Sequence, residues 1–129
     1  MPIVLIGIDD TDNASSPGTG RLARELSGRC AARGMRPLGV TRHQFLLDER
    51  IPYTSHNSGA CVAVETTDGA APVDFAVEFV ARRSAEGSDP GVCVAEASRV
   101  PAEVIRFGER ATAEIVEPDE ALWRARSAG

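Results

Sequence analysis

Ile3-Val-Leu-Ile-Gly-Ile-Asp-Asp-Thr-Asp-Asn13, followed after a short gap by Ser16-Pro-Gly-Thr-Gly-Arg21, decides how the chain is read. Ile3 to Ile8 is a short apolar run rich in β-branched residues, which predicts a strand buried on both faces. Asp9, Asp10 and Asp12 then stand at its C-terminal end, the place where α/β sheets hold their ligands. Carboxylates this close repel one another. They are tolerated when solvated, when capping a turn, or when neutralised by a cation, and oxygen ligands at this density suit a hard ion such as magnesium.

The residues after the acids extend that pattern. Ser16-Pro17-Gly18-Thr19-Gly20 is a loop of small residues, and Leu22, Leu26 and Cys30 recur at helical spacing until Gly34. Gly18 and Gly20 let a backbone approach a ligand closely, and the amides that open a helix form an anion site. Candidate metal ligands therefore precede candidate phosphate ligands, with Arg21 beside them, as in a metal–nucleotide site across a first β-α turn. The alternative is a purely local role, with Asp12 or Thr19 capping the helix and the acids solvated.

Composition narrows the class. At 129 residues and 43% hydrophobic content the chain is expected to form a single α+β domain over residues 1–129. The run Ile3–Ile8 is far too short for a membrane span and has no basic segment before it, so a cytoplasmic protein is expected. Cys30, Cys61 and Cys93 are widely spaced without a C-x-x-C pair; each is most simply a small buried hydrophobe. Every basic residue is arginine, which excludes a Walker-type lysine and a Schiff-base nucleophile. The net charge of −5 opposes nucleic-acid binding by the bulk surface, so any RNA contact needs a local arginine patch.

Further along, Val40 begins a predicted strand with Thr41, His43, Phe45 and Leu47 on one face and Val40, Arg42, Gln44 and Leu46 on the other. The Arg42 and Gln44 face either lines a site or meets solvent. Asp48 to Ser58 is a loop dense in hydroxyls, with His56 and Asn57 as candidate ligand contacts. Those residue types also satisfy their own backbone in any turn. No G-x-S-x-G elbow accompanies Ser55 and His56, so a Ser-His nucleophile is a poor reading. Ala60–Glu65 reads as a second buried strand and Thr67-Asp-Gly69 as a turn. Val73, Ala76, Val77 and Val80, widened by Phe75 and Phe79, predict a helix ended by Gly87. Ser88–Gly91 is a turn before a short strand at Val92–Ala95. Pro101 suits the first turn of a helix carrying Val104, Phe107, Ala111 and Ile115, and Pro118 opens a last helix with Leu122 and Trp123. The order is β-α-β-β-α-β with two further helices: a ferredoxin-like, split-βαβ unit with C-terminal additions.

Gly7-Ile-Asp-Asp-Thr-Asp12, with Gly18-Thr19 downstream, resembles the N-terminal kinase-like region of the archaeal tRNA-isoleucine agmatinylcytidine synthetase (TiaS) family. Ile51-Pro-Tyr with the polar run to Asn57, Ser58 and Gly59-Ala60 resembles a second motif of that family, and Asp89-Pro-Gly-Val92 a third. The resemblance implies ATP and magnesium as cofactors, with Asp9, Asp10 and Asp12 at the metal. It implies Asp12, Gly18, Thr19, Gly20 and Arg21 at the nucleotide, and Asp9, Asp10 and Thr19 in phosphoryl transfer. Arg42, His56 and Asn57 are possible substrate contacts. The family has basic residues where this chain has Thr54 and His56. It also continues into a glycine-rich segment, an oligonucleotide-binding fold and a zinc ribbon that do not follow here. The chain therefore resembles a short stand-alone bacterial relative.

Two functions from different classes follow. One is a magnesium- and ATP-dependent phosphotransferase-like or ligase-like enzyme with an unknown substrate, tRNA among the candidates, in which Arg21 or Arg42 neutralises transition-state charge. The other is a non-catalytic nucleotide-binding or partner-binding module of the same fold. A third reading takes Asp10-Thr-Asp12 as the D-x-D of an aspartyl-phosphate phosphatase; the chain lacks the downstream lysine that such enzymes use. The open sheet edges are expected to be covered by the two C-terminal helices or by a second copy of the chain, and a homodimer is expected to complete the site in trans.

Overall fold

The structure, a computed structural model, describes residues 2–9, 11, 18–50, 58–67, 71–88 and 90–128. Its elements are β1 (Ile3–Asp9), α1 (Thr19–Ala32), β2 (Arg36–Gln44), β3 (Ser58–Glu65), α2 (Ala71–Arg83) and β4 (Gly91–Glu96). A 3₁₀ turn at Ala97–Arg99, α3 (Ala102–Ala111) and α4 (Pro118–Ala128) complete the chain's described part. The sheet order is β2-β3-β1-β4, and each neighbouring pair is antiparallel. This is the split-βαβ arrangement expected from the element order, an α+β ferredoxin-like unit with two added helices.

Alternation along the strands sets the core. Val4, Ile6 and Ile8 of β1 and Ala60, Val62 and Val64 of β3 share one buried face. Ala23, Leu26 and Cys30 of α1 and Ala76, Phe79 and Val80 of α2 close over it. Each buried valine, leucine, isoleucine or phenylalanine side chain among them stabilises the fold by roughly 1.5–3 kcal/mol relative to leaving it in water. The expectation that β1 is buried on both faces needs correction. Ile3 is 39% exposed and Leu5 and Gly7 are half-buried, because both helices of the split-βαβ unit lie on the opposite face.

Helix α1 stops at a Schellman motif: Gly34 at φ 87° lets Gly34 N–H reach Ala31 O (3.1 Å) and Met35 N–H reach Cys30 O (3.1 Å). Strand β2 starts at Arg36, earlier than Val40, and its register shifts between Pro37 and Gly39. Proline is tolerated there because β2 is the sheet's outer strand. Its far end is Gln44, so Phe45 and Leu47 lie beyond it. The strands around Ala60–Glu65 and Val92–Ala95 are each slightly longer than expected.

Helix α2 ends at Arg83, before Gly87, which takes φ 82° in the following turn. Val77 is 52% exposed although its spacing put it on the apolar stripe. Pro101 precedes α3 as its N-cap, and Ile115 falls outside that helix. Helix α3 leads from the end of β4 back to the far end of β2, where Leu46 N–H donates to Ala111 O (3.0 Å). Arg110 then ties it to α4 through Glu120 (2.8 Å). No helix among the described residues is long and apolar enough to cross a membrane.

Candidate nucleotide site at one end of the sheet

Antiparallel pairing brings the end of β1 beside the beginnings of β3 and β4. Asp9 stands opposite Gly59 on one side and Gly91 on the other. Both glycines make room. A Cβ on Gly91 would fall 2.5 Å from Asp9 Oδ1, and one on Gly59 would fall 3.2 Å from the Ile8 carbonyl oxygen and 3.3 Å from the Phe45 ring. One described residue from each of the three sequence motifs, far apart along the chain, thus meets the others in one cross-strand row. Neither glycine was singled out in the sequence for this purpose; the signal was a glycine within the first two residues of each strand, which becomes legible only with the register.

Thr11 was also overlooked. It is buried, its hydroxyl donates to Thr19 Oγ1 (3.0 Å), and its carbonyl accepts from Ala85 N–H (2.8 Å). One residue therefore ties the exit of β1 to the head of α1 and to the turn after α2.

Thr19 is the first residue of α1 and does not cap it. The N-cap is Gly18, which makes no side-chain capping bond. Gly18 O takes the amides of Arg21 (3.1 Å) and Leu22 (3.3 Å) at the positive end of the helix. The first turn holds no acidic residue. Instead Arg21, Arg24 and Arg83, with Glu25, line a shallow hollow between α1 and α2. Arg24 folds back, its Nη1 lying 3.8 Å from where a Gly20 Cβ would be. Glu25 pairs with Arg83, whose guanidinium also lies 5.8 Å from the Phe79 ring centroid. Arg21 and Arg24 have no carboxylate partner among the described residues. Cations at a helix N-terminus oppose the dipole, so this arrangement suits an anion.

Arg42 serves the same end of the sheet from β2. Its Nη2 donates to Ser58 Oγ (3.3 Å) and, at 3.5 Å, to Gln44 Oε1. It pairs across from Ala60, on the face covered by α1, whereas Asp9 and His43 belong to the other face. Gly18, Thr19, Gly20 and Arg21 are thus gathered at the head of α1, and Asp9 lies round the rim of the sheet from them. Asp10, Asp12, His56 and Asn57 lie outside the described residues. No group of three or more potential metal ligands forms among the described residues, so the magnesium set is represented there by Asp9 alone.

No protein-family model matches the chain, and no curated protein matches it in sequence. Solved structures do match. A complex of TiaS with an isoleucine tRNA and ATP superposes with a TM-score of 0.79 at 26% identity, over 95% of this chain and 30% of that one. The chain has the fold of a TiaS segment. Apo TiaS, a tRNA agmatidine synthetase, gives a TM-score of 0.77 at 25% identity over 94% and 29% of the two chains. A tRNA fluorescent labeling enzyme gives 0.78 at 27% identity over 94% and 29%. The chain spans about 30% of the length of these TiaS structures. The resemblance drawn from Gly7–Asp12 and the two later motifs is matched by the backbone as a whole.

Proposed function

We propose that this chain is a nucleotide-binding, phosphotransferase-like domain related to TiaS, taking ATP with magnesium as its counter-ion. The observation that carries the proposal is the charge at the head of α1. Helix α1 opens at Gly18 with no side-chain capping bond and no acid in its first turn, and it carries Arg21 and Arg24, which with Arg83 of α2 line a hollow beside it. Phosphoryl transfer is mostly placement and charge neutralisation, which amides and arginines supply. Magnesium, when bound with the nucleotide, would add Lewis-acid charge, with Asp9 offering one oxygen ligand. RNA is the candidate acceptor, because the complex of similar fold contains tRNA together with ATP. With a net charge of −5, such contact would be confined to the arginine-rich end.

Titration calorimetry with a non-hydrolysable ATP analogue and magnesium tests this. The Arg21→Ala/Arg24→Ala variant should bind at least tenfold more weakly, since each charged hydrogen bond is worth about 1.5–3 kcal/mol. Unchanged affinity would overturn the reading.

A binding module without turnover is favoured by one observation. Thr19 is buried and its hydroxyl is engaged by Thr11, which suits a structural post. Phosphate release by wild type and Thr19→Val separates the two readings: turnover that vanishes with Thr19 supports the enzyme, and binding with no release in either supports the module. Homodimer formation belongs to the same proposal. The exposed outer strand β2 offers its backbone to a second copy, and sedimentation with and without the nucleotide measures the association.

A further inference from the structure

A surface helix ordinarily buries its apolar stripe and shows its charges to water. Helix α4 does the reverse. Its most covered residues are Glu120, Ala121 and Arg124, each half-buried, and none of its residues is fully buried. The side toward α3 is held by charge: Arg110 donates to Glu120 Oε2 (2.8 Å), and Arg124 Nε lies 3.6 Å from the same oxygen. The large apolar residues are on the outside, Leu122 at 53% exposure and Trp123 at 57%. A helix of 11 residues is marginal by itself, and α4 lacks the apolar burial that usually holds one of this length.

The exposed face has an internal order. Asp119, Leu122, Trp123 and Arg126 stand at i, i+3, i+4 and i+7, on one face of the helix, and all four are exposed. Asp119 and Arg126 have no ion-pair partner among the described residues, unlike Glu120 and Arg124. From either end the stripe runs charge, apolar, apolar, charge, and the two charges differ in sign. A two-fold axis between Leu122 and Trp123 therefore sets Asp119 against Arg126 of a second copy, and Leu122 against Trp123 of that copy. Symmetry repeats both contacts. Parallel pairing would oppose like charges at both ends of the stripe, so the pattern selects the antiparallel arrangement. The Arg124 guanidinium, 4.7 Å from the Trp123 ring centroid, steadies the indole as an anchor.

We propose that the outer face of α4 pairs antiparallel with α4 of a second copy of this chain, through Leu122 and Trp123 flanked by Asp119–Arg126 ion pairs. The contact uses neither the backbone of β2 nor the nucleotide site, and it needs no nucleotide. One short helix buries less than the roughly 1,000 Å² of a durable interface, so the association is weak and concentration-dependent.

Sedimentation equilibrium of the nucleotide-free protein, up to about 1 mM, tests this. Wild type should show a monomer–dimer equilibrium. Asp119→Arg and Arg126→Asp should each weaken it at least tenfold, because each breaks the charge match twice. Mixed in equal amounts, the two variants are complementary again and should associate about as tightly as wild type. The same chains are compared alone and together, so any effect of the substitutions on α4 itself cancels. Trp123→Ala, at an exposed position, should also weaken pairing at least tenfold. A mixture no more associated than either variant alone would overturn the proposal. So would a wild type that stays monomeric, which would leave this face to a different partner, or one that associates only with ATP and magnesium.

Discussion

The Thr11–Thr19 hydrogen bond can be weighed by a double-mutant cycle. Both residues are buried, and the bond spans 3.0 Å between hydroxyls that join the end of β1 to the head of α1. Thr→Val keeps the branched shape and removes only the hydroxyl. A neutral hydrogen bond contributes about 1 kcal/mol net, and stranding its buried partner costs about 1–3 kcal/mol. Thr11→Val and Thr19→Val should therefore each destabilise by roughly 1–2 kcal/mol. For 129 residues the unfolding entropy makes 1 kcal/mol worth about 4 °C in melting temperature, so each single variant should melt about 4–8 °C lower. The double variant replaces both hydroxyls by methyl groups facing one another and leaves neither stranded by the other. Its loss should fall short of the sum of the singles by about 1 kcal/mol or more. Denaturant melts of the four proteins measure this. Strict additivity, within about 0.3–0.5 kcal/mol, would refute the idea that Thr11 straps the site together.

Two further outcomes are expected. Gly91→Ala should displace the Asp9 carboxylate, because its Cβ would fall 2.5 Å from Oδ1, while costing only about 0.5–1.5 kcal/mol of rotamer strain. Magnesium-dependent nucleotide affinity measured by calorimetry should drop about tenfold, and an unchanged affinity would remove Asp9 from the site. At low pH, α4 should loosen. The Arg110 guanidinium hydrogen-bonded to Glu120 holds that carboxyl below its ordinary value of 4.5, so the contribution is present above that pH and is lost as pH falls through the lowered folded-state value. Trp123, the chain's single tryptophan, lies on α4 and reports the change by fluorescence; Arg110→Ala should abolish the transition.

Much of the fold was legible because helix and strand periods differ sharply here. Val4, Ile6 and Ile8 alternate, while Leu22, Leu26 and Cys30 step by fours, and Gly34 marks a helix end that the backbone confirms with its positive φ. The misreadings came from quantities that a single segment does not carry. Whether Leu5 or Val77 is covered depends on which helices pack where, so an apolar residue at the right spacing stayed half-exposed or exposed. Arg36 and Pro37 belong to a strand despite proline because β2 is the outer strand, a fact of topology. At the candidate site, Gly18 to Arg21 could be read from composition and helix-start chemistry. Thr11, Gly59, Gly91 and Arg83 could not, because each acquires its role from a partner distant in sequence.

The central place of β1 also governs how the molecule comes into being. Ile6 is flanked on one side by Val62 and on the other by Val94, so this interior strand has neither neighbour until long after it has left the ribosome. Contacts this remote in sequence are closed late and slowly. Until then Val4, Ile6 and Ile8 present a bare β-prone ridge, the kind of segment that aggregates or engages chaperones. The acids that follow them put charge at the end of that ridge, where it acts as a gatekeeper. The same carboxylates that mark the candidate site thereby protect the nascent chain from which the site is made.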